Sequence, residues 1–315
     1  MTNNSGSHKG SLQFYPRVRA KKVIPSVNWK AVKKKEAGLL LGFIGYKAGM
    51  VSVLVKDSTD DSMTKNKKII VPATIIECPA MKIYSVRFYK NGKVSKDLVV
   101  SKDKELKKNV KIAKELKPFM EEDFDDVRVI VYSGVKNTSI GKKKSDMIEI
   151  GLSGSRDEKI KFIREKIGKE ILINDVFRGG VVDVRAVTKG YGTQGPVRRF
   201  GIHLKNHKTE KGVRRPGSLA PWHPARVTFR TAQAGQTGFH NRIVYNNVIL
   251  EVGKIKDKDV NKKGGLNHYG FIKTDYLILK GSVPGPQKRG VVITPSIKSS
   301  KKQSKKKLEV LELRW

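Results

Sequence analysis

Between Thr188 and Arg242 the chain offers almost nothing from which a hydrophobic core could be built. The stretch is rich in glycine and in cations: Lys189, Arg198, Arg199, Lys205, Lys208, Lys211, Arg214, Arg215, Arg226, Arg230 and Arg242. Glu210 is its only carboxylate. A segment so charged cannot bury enough apolar surface to offset its loss of chain entropy, so alone it is expected to be disordered or loosely held. Phosphates would neutralise it, and release of their counterions would drive association. The expectation is an internal arm that orders against nucleic acid.

The remainder can fold. Of 315 residues 38% are hydrophobic, enough for one large domain or two ordinary ones. Against 29 Asp and Glu stand 66 Lys and Arg, a net charge of +37, which puts nucleic acid ahead of an acidic membrane or protein as partner. Charge does not separate DNA from RNA. The single cysteine, Cys78, excludes an intrachain disulfide and a cysteine-clustered zinc site. It lies in the apolar run Pro72 to Ala80, where it reads as a small buried hydrophobe. Ala37 to Tyr46 is too short to span a bilayer, and the N-terminus has no hydrophobic signal core. A soluble protein of a reducing compartment is expected, with no membrane partner, cofactor, metal or homo-oligomer.

Residues 1–36 read as a basic extension in which Phe14 and Tyr15 are interleaved with His8, Lys9, Arg17, Arg19, Lys21 and Lys22, a mixture suited to base stacking beside phosphate contacts. Residues 37–100 carry short strand-like runs, with Asn91-Gly92 marking a hairpin turn. Closely spaced strands of this kind suggest a small barrel or sandwich. Residues 101–173 read as an inserted α/β region. Ser101 would cap a helix bearing Leu106, Val110 and Ala113 and ending at Pro118. Strands follow at Val127–Tyr132 and Met147–Leu152, and Ser155 caps a second helix with Ile160, Ile163 and Ile167 at helical spacing. Residues 174–187 return to strand character before the arm at 188–242. Strands resume over 243–297, and 298–315 read as a lysine-rich tail. Strands on both sides make the arm a long excursion from one β domain, and loops of such length inside domains are usually functional.

Several motifs carry alternative chemistry. Gly190, Gly192 and Gly195 fit the dinucleotide fingerprint, but the residues from Pro196 onward lack helical apolar spacing, so the glycines read as close-approach points for a phosphate. His203 and His207 have the spacing of a helical metal pair without further ligands nearby. His223 and His240 among arginines could serve as an acid/base pair in an RNA-cleaving or RNA-modifying enzyme, although RNA-contacting histidines are commoner. Gly151 to Ser155 misses the nucleophile-elbow pattern, and Lys142 to Lys144 lack P-loop glycine spacing and read as a solvated turn. Trp222 stands in Pro221-Trp-His-Pro224, where flanking prolines stiffen a platform for a nucleobase; the competing expectation is an indole tucked under the loop.

Four blocks, Gly42-Phe-Ile-Gly-Tyr-Lys-Ala-Gly-Met50, Val187-Thr-Lys-Gly-Tyr-Gly-Thr-Gln-Gly-Pro196, Pro221-Trp-His-Pro-Ala-Arg226 and Ala234-Gly-Gln-Thr-Gly-Phe-His240, together resemble the ribosomal protein L3 family. Gly10-Ser-Leu-Gln-Phe-Tyr-Pro-Arg17 resembles the N-terminal extension of its archaeal and eukaryotic branch, and the short C-terminus points to an archaeal member. The resemblance implies a mainly β fold, with a six-stranded translation-protein barrel, an inserted α/β region and a long arm running through large-subunit rRNA toward the peptidyl-transferase centre. It implies a non-enzymatic role in the cytoplasmic ribosome, with rRNA and neighbouring ribosomal proteins as partners and an indirect influence on A-site tRNA. Trp222 would sit at the arm's tip, and Gln236 joins His223, His240 and the named cations as an rRNA-binding candidate. Glu210 replaces a histidine of eukaryotic members and Phe239 the usual tyrosine, so properties tied to those groups do not carry over.

Overall fold

Along Phe43–Asp57 (β1) Val51, Val53 and Val55 are buried while Met50 and Ser52 face outward, the period of two that a half-buried strand requires. In this computed structural model, which describes residues 10–32, 40–113, 115 and 124–315, the chain is mainly β with few and short helices. It divides into two compact units. One holds the described residues 10–22 with Val187–Asn241; the other holds Val23–Ala186 and Arg242–Trp315.

In the larger unit β1 pairs antiparallel with Lys68–Glu77 (β2) over most of its length. It also pairs with Gly290–Pro295 (β12), placing Phe43 opposite Ile293. With Val181–Val187 (β7), Asn241–Gly253 (β10) and Tyr276–Lys280 (β11), the order β12-β7-β10-β11-β2-β1 returns to β12, a closed circuit of six strands. A closed circuit has no exposed edge among its members.

A second, four-stranded sheet has the order β4-β3-β5-β6, from Met81–Lys90 (β3), Lys93–Val99 (β4), Asp126–Ser133 (β5) and Met147–Gly151 (β6). Asn91 and Gly92 join β3 to β4 with φ of 51° and 73°, the left-handed pair that a two-residue hairpin turn needs. Strands β3 and β4, expected to continue the first β section, instead pair within this second sheet, β3 lying between β4 and β5. Short-range pattern marks a strand but not its partner, and here the partner is β5.

Arg156–Lys166 (α1) is the expected Ser155-capped helix. Ser155 accepts from the Glu158 amide while Glu158 accepts from the Ser155 amide, and Ile160 and Ile163 are buried. The helix expected from Ser101 is reduced to a single 3₁₀ turn over Lys104–Lys108, in which only Leu106 is buried. Residues 114 and 116–123, including Pro118, lie outside the described residues. Ile173–Val176 (α2) is one further turn.

The two halves of the N-terminal extension part company. Trp29 and Val32 are buried in the main apolar core among Phe43, Ile150 and Ile293, so residues 23–32 belong to the larger unit. Burying one large side chain this fully stabilises by about 1.5–3 kcal/mol, which the residues' basic surroundings in sequence concealed. At the other terminus the expected tail contains a helical turn, Lys301–Ser304 (α4), and a strand, Leu308–Arg314 (β13), that pairs with β1. Leu308, Val310 and Leu313 pack against a second apolar core that contains Val53 and Ile278. Cys78 is buried at 1% exposure, and burial pushes its thiol pKa up.

Candidate nucleic-acid interface

The smaller unit is built on a short antiparallel ribbon, Gly190–Gln194 (β8) against Gly235–Gly238 (β9), which closes the base of the arm. Gly238 opposes Gly190 with φ +72°, and a Cβ there would fall on the Lys189 carbonyl oxygen, so only glycine lets the strands meet. Thr188 N–H donates to the His240 carbonyl at 2.9 Å, one step below the ribbon. A five-residue helix, Pro196–Phe200 (α3), follows β8, with proline in its first turn and Gly201 in the left-handed region at its end. The expectation of no helix after Gly195 is corrected to this extent. One turn after a hairpin strand is still not the βαβ context of a dinucleotide site.

Extension and arm base are one structure. The Ala20 amide donates to the Phe239 carbonyl at 2.7 Å, and His240 Nδ1 donates to the Val18 carbonyl at 2.7 Å. Arg17 Nη1 donates to the Arg199 carbonyl at 2.6 Å, and its guanidinium lies 4.2 Å from the Phe200 ring centroid. Tyr15 packs against Phe200 and edge-on to Phe229 at 6.1 Å. Arg199 in turn donates to the carbonyls of Gln236 and Gln233. Burial, and then the neighbouring Arg17 charge, lower the Arg199 pKa. Two guanidiniums sharing one small core leave a positive field that an anion would offset.

Beyond this base, residues 201–234 form no helix or strand. Lys205, Lys208, Lys211, Arg214, Arg215, Arg226 and Arg230 are all exposed, and none makes an ion pair among the described residues. Trp222 is 89% exposed, and its ring lies 6.4 Å from that of its neighbour His223. The expectation of an indole tucked under the loop therefore fails.

The remaining candidates divide by position. Lys189 and Arg198 are exposed around Tyr191, Arg198 lying 4.5 Å from its ring centroid. Arg19, Lys21 and Lys22 are exposed, Arg19 lying 5.2 Å from the Phe239 ring. Gln236 is half-buried and donates to the Gly238 carbonyl at 3.0 Å, a role in shaping the ribbon. Arg242 is half-buried on β10 in the larger unit, a correction to its place in the arm. His8 and Lys9 lie outside the described residues. Sequence reasoning missed the docking of residues 15–20 on the arm base. Its signal was the aromatic set Tyr15, Phe200 and Phe229, which is too far apart in the chain to pair by spacing.

The alternative chemistries find no frame here. His203 and His207 sit in irregular chain, not on a helix, and no group of three or more His, Cys, Asp or Glu converges among the described residues. His240 is engaged with the Val18 carbonyl. Lys142, expected in a solvated turn, instead pairs with Asp146.

A mainly β protein with a glycine-paired ribbon, an exposed run of cations and an exposed indole has the surface of a structural polyanion-binding protein. The comparisons with known proteins make that specific. The family model of ribosomal protein L3 matches residues 1–111 and 86–315, and the chain belongs to this family. It is 38% identical to large ribosomal subunit protein uL3 of Methanosphaera stadtmanae over 323 residues, 96% of this chain and 95% of that one. It is 37% identical to uL3 of Archaeoglobus fulgidus, covering 93% and 92%, and 39% identical to uL3 of Methanococcus aeolicus, covering 92% and 91%. The likeness is to the archaeal type. The chain is a structural protein of the cytoplasmic ribosome and not an enzyme.

Proposed function

We propose that this chain is a constituent of the large ribosomal subunit that holds rRNA through residues 10–22 and the arm, with the larger unit as its anchor. The closed six-strand circuit acts as a translation-protein barrel, and the four-stranded sheet with α1 is the inserted α/β region. The arm threads between rRNA helices toward the peptidyl-transferase centre. Phosphate contacts from its Lys and Arg residues supply most of the affinity, and RNA shape sets the position. Trp222 stacks on a base near the rRNA that receives A-site tRNA, so the influence on peptide-bond formation is indirect. Because residues 201–234 lack regular structure of their own, their ordering on RNA also fixes early contacts during subunit assembly. Neighbouring ribosomal proteins complete the set of partners.

The observation that carries this reading is the cationic run from Lys205 to Arg230, exposed and free of ion pairs among the described residues, around a tryptophan with 89% of its surface in solvent. The experiment is sedimentation of the full chain with large subunits through a cushion at about 0.5 M salt, where nonspecific phosphate binding is weakened by orders of magnitude. Retention that is lost on RNase treatment supports the reading. Recovery of the chain in the unbound pool at that salt contradicts it.

A further inference from the structure

The larger unit carries a second crowd of positive charge, away in sequence from the arm. A cleft of about 750 Å³ is bounded by Lys280 at the end of β11 and by Lys301, Lys302, Lys305, Lys306 and Lys307 around α4. The opposite wall is the loop after β1, which contributes Asp57, Asp60 and Asp61. These carboxylates offset the lysines only in part, three against six. Asp57 is consumed locally, accepting from the Thr59 amide at 3.0 Å and from the hydroxyls of Ser62, at 2.7 Å, and Thr64, at 2.5 Å. Asp60 is shared between Lys65 and Lys307. Lys280, Lys301, Lys302, Lys305 and Lys306 make no ion pair among the described residues. Lys280 is half-buried and its amine lies against Lys306; burial, and then the Lys306 charge, lower its pKa. Folding has placed Lys306 where its charge raises the cost of charging Lys280.

We propose that this lysine cleft is a second RNA site, holding consecutive backbone phosphates of an rRNA strand independently of the arm. Its chemistry fits phosphate rather than base recognition. Lysines are mobile point charges without the planar fork that reads bases, and no aromatic ring is among the described residues that line the cleft. A single free phosphate would fill little of its volume, whereas a strand passing through meets several lysines in turn. The proposal rests on rRNA being the chain's partner but not on the arm's path.

The test uses the full chain and large-subunit rRNA, reading the slope of log affinity against log salt. Removing three phosphate contacts with K302Q/K305Q/K306Q should lower that slope by about 2 to 3. The arm variant R214A/R215A should lower it by about 1.4 to 1.8, and the two effects should add. A slope unchanged by the lysine variant but lowered by the arm variant overturns the proposal and leaves the arm reading intact; no change in either overturns both. Lysine acylation of the unaltered chain keeps the test independent of how any variant folds. Lys301, Lys302 and Lys305 should react at least about fivefold more slowly in assembled subunits than in the free chain, and should crosslink to nucleotides. Equal reactivity, or crosslinks to protein alone, overturns the RNA assignment.

Discussion

Replacing Trp222 with alanine separates the fold from its interface, because the indole has almost nothing to lose in the free protein. A tryptophan offers roughly 250 Å² of surface. With 89% of it exposed, about a tenth is removed from solvent, so at ~25 cal/mol/Å² the ring contributes about 0.6 kcal/mol to folding. For a chain of this size that shifts the melting temperature by roughly 1–2 °C. Against RNA the same ring can gain about 1–3 kcal/mol by stacking on one base. Trp222→Ala is therefore expected to weaken binding to large-subunit rRNA by about 5- to 150-fold, with defective A-site tRNA binding in reconstituted subunits. The salt slope should not move, since no charge is removed. Thermal melting of the free chain and an rRNA titration at fixed salt measure the two sides. A fall in melting temperature above about 5 °C would place the indole in a packed core, and an unchanged affinity would remove the stacking contact. Either result refutes the reasoning.

Other perturbations probe how the site is built. Gly238→Ala should disrupt the β8–β9 ribbon, because a Cβ meets the Lys189 carbonyl and the backbone is left-handed; hydrogen exchange at the Thr188 and Ala20 amides should rise at least about tenfold, while the larger unit keeps its melting temperature. Asp57 tests the loop that walls the lysine cleft. Hydrogen bonds from Thr59, Thr64 and Ser62 hold its pKa well below the usual carboxylate range. Its stabilising contribution is therefore full above the unfolded pKa of about 4 and is lost as pH falls toward the folded value. Asp57→Asn should accordingly cost stability at neutral pH, with the gap to the unaltered chain narrowing in denaturant melts below about pH 4. A gap constant with pH would contradict that account.

Where the sequence spoke locally, the structure agrees. Ser155 marks the start of α1, Asn91-Gly92 marks a hairpin, and the strand expected within 174–187 runs over Val181–Val187, after the turn of α2. The scarcity of apolar residues around Lys205 to Arg230 likewise foretells a run without helix or strand. What stayed hidden depends on distant partners. Nothing near β3 says that it pairs with β5 rather than continuing the first sheet. Trp29 looked like part of a basic extension because its apolar contacts, Gly42 and Gly151, are far along the chain. The alternation of Leu308 and Val310 was legible in principle, but six lysines between Lys298 and Lys307 made the whole terminus read as a tail. Arg17 and Arg199 were both expected to face RNA, yet each spends hydrogen bonds on the arm's own carbonyls, a division that only the fold makes visible.

The claim that the arm grips RNA through its phosphates is tested most directly by Arg214 and Arg215, which are exposed and make no ion pair among the described residues. The measurement is the affinity of the full chain for large-subunit rRNA across roughly 0.05–0.4 M salt, with and without Arg214→Ala and Arg215→Ala together. Loss of two phosphate contacts should flatten the plot of log affinity against log salt by about 1.4 to 1.8. Parallel lines for the two proteins would mean that these arginines never meet the backbone, and the account would fail at its centre.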